Sequence, residues 1–392
     1  MIYNFDEIVE RRNTNCEKWD NCIDRFGTND VLPLWVADMD FKTPDFIINA
    51  LKRRLEHEIF GYHIRPKSFY TAVHDWLQRR GWEIDTNKIS FSPGVVPAIN
   101  FAVNIFTSPG DKILINTPVY HPFMYAINNA GRTMVRSSLV NSGDGYYTID
   151  FDDFERKLSD GVKMFIFCSP HNPVGRVWTL EELTKIGELC LKYNVLIVSD
   201  EIHSDLVFKP HRHTYFASIS KDFAMQTITF VAPSKTFNLA GLFSSIIYSD
   251  NPDIFNKFNS YVNRMSIGCG TVFGDIALEA AYTYGEDWLN QLLKYLEKNF
   301  EYVIAFLEKN IPKIKTVKPE GTYLMWLNCS ELGMTSDEIH RFMVSKAGLA
   351  MNPGKIFGSE GELYLRLNVA TPRSNLEKAM QNMLGAFKEY EK

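Results

Sequence analysis

Four short apolar runs, each ending on a residue with chemistry to offer, constrain this chain more than any other feature. They are KILINTPVY (112–120), KMFIFCSPHNP (163–173), VLIVSDEIH (195–203) and TITFVAPSKTF (227–237). Each reads as a buried β-strand followed by a turn. The residues at or just past the strand ends are Tyr120, Asn172, Asp200 and Lys235. In open α/β sheets, ligands bind beyond the carboxyl ends of the strands. An aromatic plate, an amide, a carboxylate and an amine are therefore expected to converge on one pocket.

Helical patterns and apolar runs alternate from about residue 45 to 285, which predicts an α/β layer fold with a mostly parallel sheet. TLEELTKIGELCLKYN (179–194) opens on a capping box, Thr179 with Glu182. LFSSIIYSD (242–250) follows the Lys235 run too closely for a crossover helix, so that strand is expected to be antiparallel to its neighbour. Residues 1–44 read as an arm. The final third differs: a long amphipathic stretch (286–310), strand-like IKTVKP and TYLMWLN, a helix opening at Thr335-Ser336-Asp337-Glu338, the strand ELYLRLNVA, and a last helix capped at Ser374 with Glu377. This predicts three parts: an N-terminal arm (1–44), a large domain (45–285) and a small α+β domain (286–392). With 392 residues and 45% hydrophobic content, the chain can bury cores of that size. The string Gly268–Gly274 does not follow a strand and lacks the dinucleotide-binding spacing.

A net charge of −5 argues against a nucleic-acid surface. The opening MIYNFDEIVERR lacks a signal-peptide pattern, and no apolar run approaches the length of a membrane span. Six scattered cysteines with no CxxC pair read as free thiols in a reducing cytoplasm, with no metal site.

Each candidate residue has a plain and a chemical reading. A lysine after a buried strand can turn to solvent. If Lys235 is partly desolvated instead, its pKa falls and the neutral amine can condense with an aldehyde. Asp200 ends an apolar run and needs a partner, either a helix N-terminus that it caps or a pyridinium N–H⁺. Asn172 precedes a proline, which often marks only a turn; its amide could also donate to a phenolate oxygen. Tyr120 could be a core aromatic or a plate stacked on a ring. Ser92-Pro93-Gly94-Val95-Val96-Pro97 precedes an apolar helix, and free amides at Val95 and Val96 would cradle a phosphate. Arg366, on a predicted strand, could be a surface residue or a bidentate carboxylate clamp.

Together these residues resemble the fold-type I pyridoxal phosphate enzymes, the aspartate aminotransferase superfamily. Six motifs in order, LPLWVADMDF, SPGVVPAI, SPHNPVGRVW, SDEIHSDLVF, APSKTFNLAGL and LYLRLNVATPR, are similar to the MalY/PatB group of cystathionine β-lyases, also called cysteine C–S lyases. The resemblance spans nearly the whole chain. It implies a large, mostly parallel seven-stranded sheet domain, a smaller C-terminal domain and pyridoxal 5'-phosphate as cofactor. Lys235 would hold the cofactor and then shuttle protons, and Asp200 would pair with the ring nitrogen. Asn172 would bond the ring oxygen and Tyr120 would stack. Gly94, Val95 and Val96 with Ser234 would hold the phosphate. Arg366 would bind the substrate carboxylate, with the Val36 and Ala37 backbone nearby. Tyr62 would reach into the neighbouring subunit's site, which implies a homodimer.

Three positions depart from the broader aminotransferase pattern: His203 for a tyrosine, Ala232 for a serine and Phe243 for a phosphate-binding arginine. The first two match the C–S lyase pattern. The third shifts phosphate binding onto the helix N-terminus and Tyr62. His203 is expected to titrate near neutrality. The implied reaction is α,β-elimination from an S-substituted cysteine, giving thiol, pyruvate and ammonia. The rivals are an amino-acid aminotransferase, and a lyase with a second, regulatory binding role.

Overall fold

The structure, a computed structural model, describes residues 2–143 and 145–390. Thirteen strands form three sheets among these residues. In chain order they begin with β1 (Leu32–Pro33), β2 (Ile89–Ser92), β3 (Lys112–Thr117), β4 (Thr133–Asn141) and β5 (Tyr147–Ile149). Then come β6 (Val162–Cys168), β7 (Leu196–Asp200), β8 (Thr227–Val231) and β9 (Ser245–Tyr248). The last four are β10 (Leu324–Asn328), β11 (Leu349–Ala350), β12 (Asn352–Pro353) and β13 (Tyr364–Asn368).

The large sheet runs β2-β9-β8-β7-β6-β3-β4-β5. Strands β4, β3, β6, β7 and β8 are mutually parallel, and β9 is antiparallel to β8, as the short connection before it requires. The sheet has eight strands rather than the expected seven. The extra one is Tyr147–Ile149, which folds back antiparallel on the end of β4. The parallel order reverses between β3 and β6, so the crevice beyond their carboxyl ends is where a ligand is expected.

The strands are apolar because both faces are covered. On one face Ile99, Val103, Phe123, Ile127, Phe258 and Val262 from flanking helices pack on Ile113, Ile115, Ile166 and Ile228. On the other, Phe154, Leu158, Leu183 and Ile186 pack on Leu114, Phe165 and Ile197. Burying each such side chain contributes roughly 1.5–3 kcal/mol relative to exposure. The helix Leu180–Lys192 starts at the predicted capping box, with Thr179 and Glu182 bonding reciprocally.

The last third holds the 25-residue helix Glu286–Asn310 and the antiparallel sheet β10-β13-β12. Two details differ from expectation. IKTVKP contributes only a single bridge, Lys315 to Asn328. The last helix begins at Arg373, so Ser374 lies inside its first turn and does not cap it. The N-terminal arm contains two short helices, Glu17–Asp20 and Cys22–Phe26, and its β1 pairs in parallel with β11. Residues 34–40 then run as a strap between the large sheet and β13: Asn368 N–H donates to Leu34 O at 3.0 Å, and Asp40 N–H to Ala370 O at 2.9 Å. The strap's acidic side chains are held by Arg11, 2.6 Å from Asp38, and by the fully buried Lys18, 2.7 Å from Asp40. All six cysteines are unpaired. Among the described residues no helix is long and apolar enough to cross a membrane, and no acidic, His or Cys cluster could hold a metal ion.

Candidate active site

A cavity of about 170 Å³ opens at the carboxyl ends of β3, β6, β7 and β8. Tyr120, Asn172, Asp200 and Lys235, the four strand-end residues, all line it. So do Ala37, Gly94, Val95, Val96, His203 and Ser234. Three predicted site residues do not. Arg366 on β13 is buried behind Asn172, and the Val36 carbonyl is engaged by Asn368 Nδ2 at 2.6 Å. Tyr62 is fully exposed on the surface.

Lys235 follows β8 on a one-turn helix, Pro233–Thr236, opened by a proline at the first helical position. Its Nζ donates to Ala37 O at 2.7 Å. The residue is only partly covered because it lines the cavity. Burial still pushes its amine down to about 8; Arg366 adds to that shift, while Asp38 and Asp200 oppose it. Asp200 is the last residue of β7 and is buried. Burial lifts its carboxyl to about 7, against a bond from Ile202 N–H at 3.2 Å and the pull of Lys235. That bond closes a turn, not a helix, so the capping alternative holds only in this local form.

His203 corrects an expectation. Burial, Lys235 and Arg366 together push its imidazole down to about 3, so it does not titrate near neutrality. Its Nδ1 is buried without a protein partner. Arg366 donates from Nη1 to Asn172 Oδ1 at 3.1 Å and from Nη2 to Trp35 O at 2.9 Å, while its Nε has no partner. With its oxygen engaged, Asn172 keeps its NH₂ free to donate elsewhere. Gly94 adopts extended backbone at φ 177°, and an added Cβ would make only ordinary contact with Pro97. The chain itself therefore does not require glycine there. The first intrahelical bond of Val95–Phe106 is Ala98 N–H to Gly94 O at 3.1 Å, so the Val95 and Val96 amides precede it at the positive end of the helix.

Sequence reasoning missed Cys168, Ile202, Ala240 and Ser244 as lining residues. Cys168 had a legible signal: it ends an apolar run just as Asp200 does, and the two are register partners on β6 and β7. Ser244 had none, because it lies on the loop before the antiparallel β9. Phe243, singled out only as a missing arginine, also lines the cavity, in left-handed backbone at φ 54°.

The donor set suits pyridoxal phosphate. A buried carboxyl with one hydrogen bond, an unpartnered buried imidazole nitrogen, a desolvated amine and a helix N-terminus surround one small cavity. The carboxyl suits a ring N–H⁺, the amine an aldehyde and the helix N-terminus a phosphate, with the Asn172 amide and the imidazole as polar neighbours for the rest of the ring.

Comparison with known proteins agrees with this chemistry. A family model described as aminotransferase class I and II matches residues 29–383. Cystathionine beta-lyase PatB of Bacillus subtilis (strain 168) is 45% identical over 98% of this chain and 100% of its own length. Cystalysin from Treponema denticola, whose crystal structure contains pyridoxal 5'-phosphate, superposes with a TM-score of 0.96 at 41% identity, covering 100% of both chains. A PLP-bound protein from Clostridium difficile 630, described provisionally as an aminotransferase, gives 0.97 at 46% identity over 98% of this chain and 100% of that one.

Proposed function

The chain belongs to the class I and II aminotransferase family, and from that premise we propose that it is a pyridoxal 5'-phosphate-dependent carbon–sulfur β-lyase. It cleaves L-cystathionine or related S-substituted cysteines to thiol, pyruvate and ammonia. The observation that carries this reading is the full-length similarity to cystathionine beta-lyase PatB, met here by a cavity whose side chains suit the cofactor.

When bound, pyridoxal phosphate supplies an electron sink for negative charge at the substrate α-carbon. Lys235, whose Nζ lies in the cavity, would be the residue that holds the cofactor. Its amine, depressed to about 8, is then a base matched to neutral pH and takes the α-proton. The electron pair forms the α,β double bond as the carbon–sulfur bond breaks, and sulfur leaves as thiolate. A cysteine-type thiol has a pKa of about 8.5, so it leaves far more readily than an alkoxide. The unsaturated amine that is released hydrolyses to pyruvate and ammonia.

The other residues bind and orient. Asp200 would hold the proton on the ring nitrogen, and that charge would in turn support an ionised carboxylate in a buried place. Asn172 Nδ2 would donate to the ring oxygen, and Tyr120 would offer its face to the ring. Neutral His203 lies on the same wall. Ser234 and the amides of Gly94, Val95 and Val96 would hold the phosphate, and Arg366 with the Val36–Ala37 backbone would take the substrate carboxylate. Tyr62 supplies a phosphate contact to the neighbouring subunit's site. Its exposure beside exposed Ile59, Phe60 and Ile64 supports a homodimer.

The test supplies L-cystathionine without any keto acid and follows pyruvate and free thiol together. Equal, rapid release is the expected result. Amino-group transfer seen only when a keto acid is added would make the chain an aminotransferase, the reading favoured by the Clostridium difficile relative. The Lys235→Ala variant should lose at least about a thousandfold in rate while keeping its circular dichroism spectrum.

A further inference from the structure

One carbonyl in this site has two donors. Ala37 O accepts from Lys235 Nζ at 2.7 Å and from Tyr323 Oη at 2.9 Å. A carbonyl oxygen has two lone pairs, so both bonds can form together. The rest of the strap is held differently. Val36 O and Asp38 O both accept from Asn368 Nδ2 at 2.6 Å, and Met39 exchanges bonds with the Asn238 amide at 3.0 and 2.9 Å. At Ala37 O, one partner is a lysine that must move during the reaction proposed above, and the other is a fully buried phenol on a rigid mount.

That mount carries the second observation. Thr322, directly before Tyr323, is buried at φ 71°, a left-handed conformation that a β-branched residue rarely adopts. Strain of this kind persists only where the surroundings over-determine it, and it gathers at functional sites. Here the turn is pinned from two sides. Thr322 N–H donates to Leu206 O at 2.7 Å, on the loop after His203, and Gly321 N–H to Gly175 O at 3.0 Å, on the loop after Asn172. The Tyr323 ring meets His203 edge-on, with centroids 6.0 Å apart.

We propose that Tyr323 is a positioning residue: by holding the Ala37 carbonyl it fixes the acceptor that aims the freed Lys235 amine at the reacting carbon. This rests on the reading of Lys235 as the base. A lysine on a flexible four-carbon stem loses rate if its amine wanders, because proton abstraction needs near-contact geometry. The backbone bonds that pin the turn and the shared carbonyl together restrict that wandering. Tyr323 acts through Ala37 and Lys235 and takes no proton itself.

The test uses the holoenzyme and L-alanine, which has no β-leaving group. Binding is read from the cofactor absorbance, and exchange of the α-proton into D₂O is read by NMR. Tyr323→Phe is expected to slow exchange at least about tenfold while the Kd for L-alanine stays within about twofold. Thr322→Gly keeps the phenol and suits the left-handed backbone, so it should exchange at the wild-type rate. Wild-type exchange by Tyr323→Phe would overturn the inference, as would a Kd weakened in proportion to the rate. Equal slowing in Thr322→Gly would assign the effect to packing of the turn and also overturn it. Absence of exchange in the wild type would overturn the Lys235 reading too, whereas normal wild-type exchange matched by Tyr323→Phe sinks this inference alone.

Discussion

Arg366 Nη1 meets Asn172 Oδ1 at 3.1 Å across 194 positions of sequence, joining β13 to the loop after β6. The bond turns the Asn172 amide so that its NH₂ can face the cavity, and it leaves the Arg366 Nε without a protein partner. One guanidinium thus orients a group proposed for the cofactor and keeps one donor uncommitted.

Arg366→Lys should therefore hurt substrate binding more than chemistry. A lysine keeps the charge but loses the planar fork that bonds Asn172, Trp35 and a carboxylate at once. The expected result is a KM raised about 10- to 100-fold, with kcat changed several-fold less. Steady-state kinetics with L-cystathionine checks this. An unchanged KM would remove Arg366 from the substrate site.

Asp200 makes a stability prediction whose sign depends on the cofactor. In protein stripped of cofactor, burial raises its carboxyl to about 7, above the ordinary carboxylate value near 4. The folded state then holds more protons than the unfolded state between those values, so stability falls as pH rises through this window. Asp200→Asn escapes that loss, on the order of a few kcal/mol at most. Cofactor-free Asp200→Asn should melt above wild type at pH 8, with the gap closing toward pH 4. With cofactor bound the order should reverse, because the variant lacks the partner of the ring nitrogen. Thermal melts of both forms across pH decide it.

Lys235 and His203 divide the pH dependence of turnover. The free Lys235 amine sits near 8 and must be neutral to take a proton, so kcat should rise with pH through a limb near that value. His203 is held down to about 3 and stays neutral throughout. His203→Asn should leave the position of that limb unchanged, although its height can fall. A limb displaced by about one unit would show that the imidazole titrates during turnover.

Tyr62 is testable by complementation. Tyr62→Ala should weaken cofactor retention, and Lys235→Ala should be inactive. If Tyr62 serves the partner's site, a mixed dimer of the two variants regains one intact site. Co-refolding the inactive and weakened chains should then raise activity above either alone. No gain from mixed dimers confirmed by mass would confine Tyr62 to its own subunit or to none.

Much of the site was legible because parallel sheets make it so. An apolar run buried on both faces must end at a turn, and the turns at one end of a parallel sheet share a crevice. That reasoning alone placed Tyr120, Asn172, Asp200 and Lys235 together, and the cavity lines up all four. The eighth strand was not legible: Tyr147–Ile149 is three residues long and pairs only by folding back on β4. Ser374 resembled a cap, but the helix begins one residue earlier at Arg373, whose N–H is taken by Tyr295 Oη at 2.8 Å.

The sequence by itself determined the layer architecture and the pocket's reactive groups, because periodicity and residue order are local properties of the chain, and its motifs carried the family resemblance. Tertiary structure decided the electrostatics. His203 looked like a titrating histidine, yet burial beside Lys235 and Arg366 keeps it neutral. Tyr323 belongs to a run that read only as strand-like, yet the fold brings its hydroxyl to the carbonyl that Lys235 also bonds. Desolvation and shared hydrogen-bond partners depend on which distant segments meet, and no local pattern carries that information.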